Sequence, residues 1–96
     1  MTDHHDLTGR DLDQALCRAL RTGSDYFGCG YDRDPARIPE MFAEIAARSG
    51  VVELVRLSSG QFVAICREKV TEADFNAEGF TPNEALARLL LMVVER

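Results

Sequence analysis

The chain has no tryptophan, and only one of its eleven basic residues is a lysine. Proteins that grip a phosphate backbone through many cations carry a basic footprint. Here Arg10, Arg18, Arg21, Arg33, Arg37 and Arg48 are interleaved with acids, and the formal net charge is −5. Direct nucleic-acid binding is therefore not expected. Long apolar runs are also missing. The longest, Leu89 to Val94, falls far short of the roughly 18 residues of a membrane span, so no membrane association is expected. The opening MTDHHDLTGRD has no basic stretch leading into an apolar one. No secretory signal is read there, and a cytoplasmic location is expected.

Thiols and imidazoles are few. Cys17, Cys29 and Cys66 are odd in number and widely spaced, which suits neither a disulfide framework nor the paired spacing of a structural zinc site. Cys17 and Cys66 fall within apolar patterns and read as small core residues. Cys29 stands in the Gly-flanked FGCGY, but a catalytic thiol needs an activating base. The only histidines, His4 and His5, lie in the N-terminal stretch. No metal, cofactor or catalytic residue is expected, and the protein is read as non-enzymatic.

What remains is a chain of ordinary folding composition. Its 96 residues, 46% hydrophobic and 28% charged, suffice for one domain with one core. Residues 1–7 are expected to be disordered and 8–96 to form that domain. Thr8 opens a helix, with Asp11 as a partial capping box, and Leu12, Ala15, Leu16, Ala19 and Leu20 share one face before Gly23. The segment TGSDYFGCGYDRD is a loop, packed down by Tyr26, Phe27 and Tyr31 as a small satellite cluster. Its glycines make no phosphate loop, because no strand precedes them and no Lys-Ser/Thr pair follows. Asp34-Pro35 caps and starts a second helix with Ile38, Met41, Phe42 and Ile45 as its stripe, ending at Gly50.

From Val51 the residues become β-branched. Val51 to Ser58 and Gln61 to Lys69 read as two strands around the turn SSG. Both strands are apolar on both faces, which predicts a sheet covered on both sides. In the third strand, from Thr71 to Glu78, Thr71, Ala73, Phe75 and Ala77 alternate with Glu72, Asp74, Asn76 and Glu78. Carboxylates at alternate positions stand about 6–7 Å apart, too far for three to hold one ion unaided. A solvated face, protecting an edge from pairing, accounts for the pattern most simply. A surface for a protein partner is the next reading, and metal binding or acid–base catalysis the last.

FTPNEALARLLLMVVER closes the chain as a helix capped by Thr81, with Pro82 first and Glu84 completing the box. Its apolar arc is wider than one sheet face requires. Either the helix is sandwiched between layers or it keeps apolar surface for another chain, and a homodimer through Leu90 and Val94 is expected. The candidate partner-binding residues are thus Glu72, Asp74, Glu78, Leu90 and Val94. The fold expected is α+β, a three-stranded antiparallel sheet with helices on both sides in an α-α-β-β-β-α sandwich.

Three passages, LTGRDLDQALCRAL, YDRDPARIPEMFAEI and NAEGFTPNEALARLLLMVV, together covering most of the chain, resemble the phage ABA sandwich domain family. That resemblance implies a helix–sheet–helix sandwich encoded by a phage or prophage, and it carries no catalytic residues. The glycine-rich GSDYFGCG stands where the family's pattern has a Trp/Pro-containing segment. GFTPNEAL also resembles the helix start of HicB-like antitoxins, but the two leading helices of this chain have no counterpart in them. The function expected is protein–protein interaction with a host or phage protein, as an anti-CRISPR-like inhibitor of a host defence complex. A HicB-like regulatory module and a phage accessory domain without inhibitory activity are the alternatives.

Overall fold

Each element begins where the sequence supplies a local signal. The computed structural model describes residues 7–20, 30–68 and 74–95. Helix α1 spans Gly9–Leu20. The Asp34 side chain accepts the Ala36 N–H at 3.0 Å and starts a short 3-10 turn, Pro35–Arg37. This turn runs directly into α2, Ile38–Arg48. Pro39 sits in the first turn, where its missing N–H leaves no helical bond unmade.

Strands β1 (Gly50–Arg56), β2 (Phe62–Glu68) and β3 (Asp74–Gly79) form one antiparallel sheet in the order β1-β2-β3. The β1–β2 turn is closed by the Leu57 N–H on the Gln61 carbonyl at 2.7 Å and the Gly60 N–H on the Leu57 carbonyl at 2.9 Å. Gly60 has φ +94, a left-handed conformation that a Cβ would oppose. Helix α3 spans Pro82–Glu95. Thr81 Oγ1 accepts the Glu84 N–H at 3.1 Å, and Glu84 Oε1 in turn accepts the Phe80 N–H at 3.3 Å. The capping box is therefore closed one residue further back than its usual form.

α3 is the hub. It packs on β2 and β3 on one side and on α1 and α2 on the others. Ala85, Leu86, Ala87, Leu89, Leu90, Leu91 and Val93 are buried, around about two-thirds of its circumference. Leu12 and Leu16 of α1 and Met41 and Ile45 of α2 are completely buried in the same cluster. Fully burying each such side chain stabilises the fold by about 1.5–3 kcal/mol. Ala64, Cys66 and Ala77 present a smooth surface that lets α3 come close. At Gly79 a Cβ would stand 2.5 Å from the Ala85 amide nitrogen, so strand and helix meet there without room for a side chain.

The class and element order are those expected, with the helices packed on the sheet. Among the described residues, however, cover is one-sided. Val52, Leu54, Phe62, Ala64, Cys66, Phe75 and Ala77 belong to or border the core. On the opposite face Val51, Glu53, Val55, Arg67, Asp74, Asn76 and Glu78 are exposed. The apolar residues of that face, taken as a sign of a second covering layer, are without one among the described residues.

The wide apolar arc of α3 has an internal explanation, since α1 and α2 take the side that the sheet leaves. Leu90 is completely buried and Val94 is half-buried against the core. The expectation of a homodimer through these two residues is corrected accordingly: the same chain already occupies that face. Cys17 and Cys66 are buried, as read. Gly23, Tyr26, Phe27, Cys29 and Glu72 lie outside the described residues, as do residues 1–6 of the stretch 1–7 expected to be disordered and the start of the third strand at Thr71, whereas Leu7 packs against the core.

Candidate functional site

Period-two alternation makes the open face of the sheet a small grid. The strand register sets Val51 beside Arg67 and Arg67 beside Asp74; the next row is Glu53, Ile65 and Asn76, and the one after it Val55, Val63 and Glu78. Leu57 and Phe80 follow the ends of β1 and β3. Both flank the same end of the sheet, because Phe62 pairs with Arg56 on one side and with Gly79 on the other.

The large apolar side chains exposed among the described residues are Val51, Val55, Leu57 and Phe80, the last 71% exposed. The first two lie on the open face and the other two at its hairpin end. Val63 and Ile65, half-buried on the central strand, join them into one patch. Scattered apolar residues on a surface need no explanation, but a contiguous patch rimmed by polar groups marks an interaction site.

Charge is distributed as regularly as the apolar residues. Glu53 stands on edge strand β1, Asp74 and Glu78 on edge strand β3, and the central strand carries Val63 and Ile65 with Arg67 at its end. Arg67 Nε donates to Asp74 Oδ1 at 3.0 Å, in a pair whose side chains are 70% and 52% exposed. At that exposure the pair adds little stability, but it neutralises one of the three carboxylates. A shallow depression of about 180 Å³, lined by Val51, Glu53, Ile65, Arg67 and Asp74, opens on this face.

Of the five residues assigned a partner-binding role from sequence, Asp74 and Glu78 share the open face. Leu90 and Val94 lie on the other side of the sheet, within the helical layer. Glu53, Val51, Val55 and Phe80 were not singled out from sequence. Their signal was the alternation of Val51-Glu53-Val55, which is also what a covered strand would show. Among the described residues no three His, Cys, Asp or Glu side chains are grouped as a metal site. No helix among them is long and apolar enough to cross a membrane.

A second polar cluster is structural. Asp13, 2% exposed on α1, accepts the Tyr31 N–H through Oδ1 at 2.9 Å and the Gly30 N–H through Oδ2 at 3.2 Å. Asn83 in the first turn of α3 donates to the Tyr31 and Asp34 carbonyls at 3.1 and 2.7 Å. Arg37 stacks 5.8 Å from the centre of the Tyr31 ring. Arg88 donates to the Leu7 carbonyl through Nε at 3.0 Å and to the Glu78 carbonyl through NH1 at 2.6 Å. These groups join loop, helices and sheet.

Comparison of the chain with protein-family models, characterised proteins and solved structures returned no match. The likeness to phage sandwich proteins thus rests on the three sequence passages alone.

Proposed function

We propose that the protein is a non-enzymatic binding module that docks a protein partner on the open face of its sheet. One observation carries this reading: the exposed large apolar side chains gather on that face and its hairpin end, framed by Glu53, Asp74 and Glu78. A fold that packs α2 and α3 on one sheet face and, among the described residues, leaves Val and Ile uncovered on the other offers that surface for contact. The acidic rim favours a basic surface and speeds encounter with it.

The resemblance to phage proteins adds the setting, a cytoplasmic protein of a phage or mobile element that antagonises a host protein. An acidic docking face suits an inhibitor of a defence complex whose own surface is basic. The test compares wild type with Val51→Lys combined with Val55→Lys as bait in a lysate of the native host. Both substitutions fall on exposed positions, so circular dichroism should show an unchanged fold. A host protein retained by wild type and lost with the variant supports the reading. Equal retention by both removes the open face from the function.

A further inference from the structure

We propose that the occupant of the open sheet face is an amphipathic helix of a partner, its apolar stripe bordered on both sides by Lys or Arg. This rests on the reading of that face as a docking surface and specifies what it takes. The layout of the face leads there. Its apolar residues are Val63 and Ile65 on the central strand with Val51 and Val55 beside them on β1, and its carboxylates, Glu53 on β1 and Asp74 and Glu78 on β3, stand on the two outer strands. Glu53 is on one side; Glu78, with Asp74 beside Arg67, is on the other.

The dimensions agree. Outer strands two spacings apart are separated by about 9.6 Å, close to the roughly 10–12 Å diameter of a helix with its side chains. A helix lying along β2 sets its apolar stripe on Val63 and Ile65 and its flanking positions over Glu53 and Glu78. Seven strand residues span about 23 Å, or roughly four helical turns. At the hairpin end Leu57 and Phe80 close the stripe with further apolar surface.

A second copy of this chain fits less well. Stacking two such faces about an axis across the strands sets Glu53 over Glu53 and Asp74 over Glu78, and about an axis along β2 it sets Arg67 over Arg67. A chain of net charge −5 also opposes its own association. A partner with basic flanks turns the same rims into attraction and fixes its register on the apolar residues.

The experiment uses two synthetic helical peptides of about four turns with one Leu/Ala stripe, flanked by Lys in the first and by Glu in the second. Each is titrated into isotope-labelled full chain and followed by amide chemical shifts. The Lys-flanked peptide is expected to shift β1, β2 and β3 resonances and to bind roughly tenfold or more tightly than the Glu-flanked one, an advantage that falls as salt is added. Glu53→Lys combined with Glu78→Lys is expected to reverse the preference. The inference is overturned if neither peptide shifts the sheet, if both bind alike, or if the double variant keeps the wild-type preference. It is also overturned if wild type sediments as a dimer that the double variant dissolves, since the occupant would then be a second copy. Failure with peptides while Val51→Lys/Val55→Lys still abolishes host-protein capture refutes the helical occupant only; failure of both refutes the docking face.

Discussion

Asp13 and Asn83 hold Tyr31 from opposite sides, the carboxylate accepting its N–H at 2.9 Å and the amide donating to its carbonyl at 3.1 Å. Both side chains are nearly inaccessible, at 2% and 4%. The two Asp13 oxygens serve two different N–H groups, Tyr31 and Gly30. Asp13→Asn keeps the shape but replaces one acceptor by a donor facing another donor. It should destabilise the fold by roughly 2 kcal/mol, read from the urea midpoint. A midpoint within error of wild type would mean that the clamp is not formed in solution.

Gly79→Ala tests the close approach of β3 to α3. The added methyl would stand 2.5 Å from the Ala85 nitrogen and 2.9 Å from the Glu84 Cβ. Backbone has to move, at a cost of about 1–3 kcal/mol or more. Thermal unfolding measures it, and an unshifted Tm would show that the strand and helix do not meet this tightly.

Thr81→Ala removes the acceptor of the Glu84 N–H. The cap leads from an exposed strand end into the most buried helix of the fold, and its loss should destabilise the protein by about 1 kcal/mol. Thr81→Ser keeps the oxygen and is expected to restore most of it. Equal stability for the Ala and Ser variants would locate the helix start elsewhere.

Leu90→Glu separates a core position from an intermolecular one. Leu90 is completely buried, and a carboxylate there has neither water nor a counter-charge. The variant is expected to lose roughly 4 kcal/mol or more, a large part of the about 5–15 kcal/mol that holds a domain together. A folded Leu90→Glu protein, with only its sedimentation changed, would return the face to intermolecular contact.

The features legible in the sequence are those built from neighbours in the chain. Asp34-Pro35, the turn at Ser58 to Gly60 and the Thr81-to-Glu84 box each close over a few residues, so residue type and spacing were enough. Long-range use of the same residue types was not legible. Asp13 and Asn83 read as ordinary polar positions, although each falls at helical spacing with buried residues, Asp13 with Leu16 and Cys17, Asn83 with Leu86 and Leu90. A polar side chain on a buried arc was the available signal. Periodicity also identified the apolar positions of α3 without identifying what lies against them. Glu53 on the open face was hidden because a period of two is the same whether the face meets a helix or water.

The position of α3 in the order of elements has a consequence for how the domain is made. α1, α2, β2 and β3 all pack on this helix, and each of them precedes it in the chain. Until Leu86, Leu89 and Leu90 are in place, α2 has chiefly its contact with β1, α1 lacks its main packing surface, and Tyr31 lacks its Asn83 clamp. Nascent domains interrupted before Pro82 would carry unburied Leu12, Leu16, Met41 and Ile45. The core is therefore closed by the docking of α3 onto the other elements.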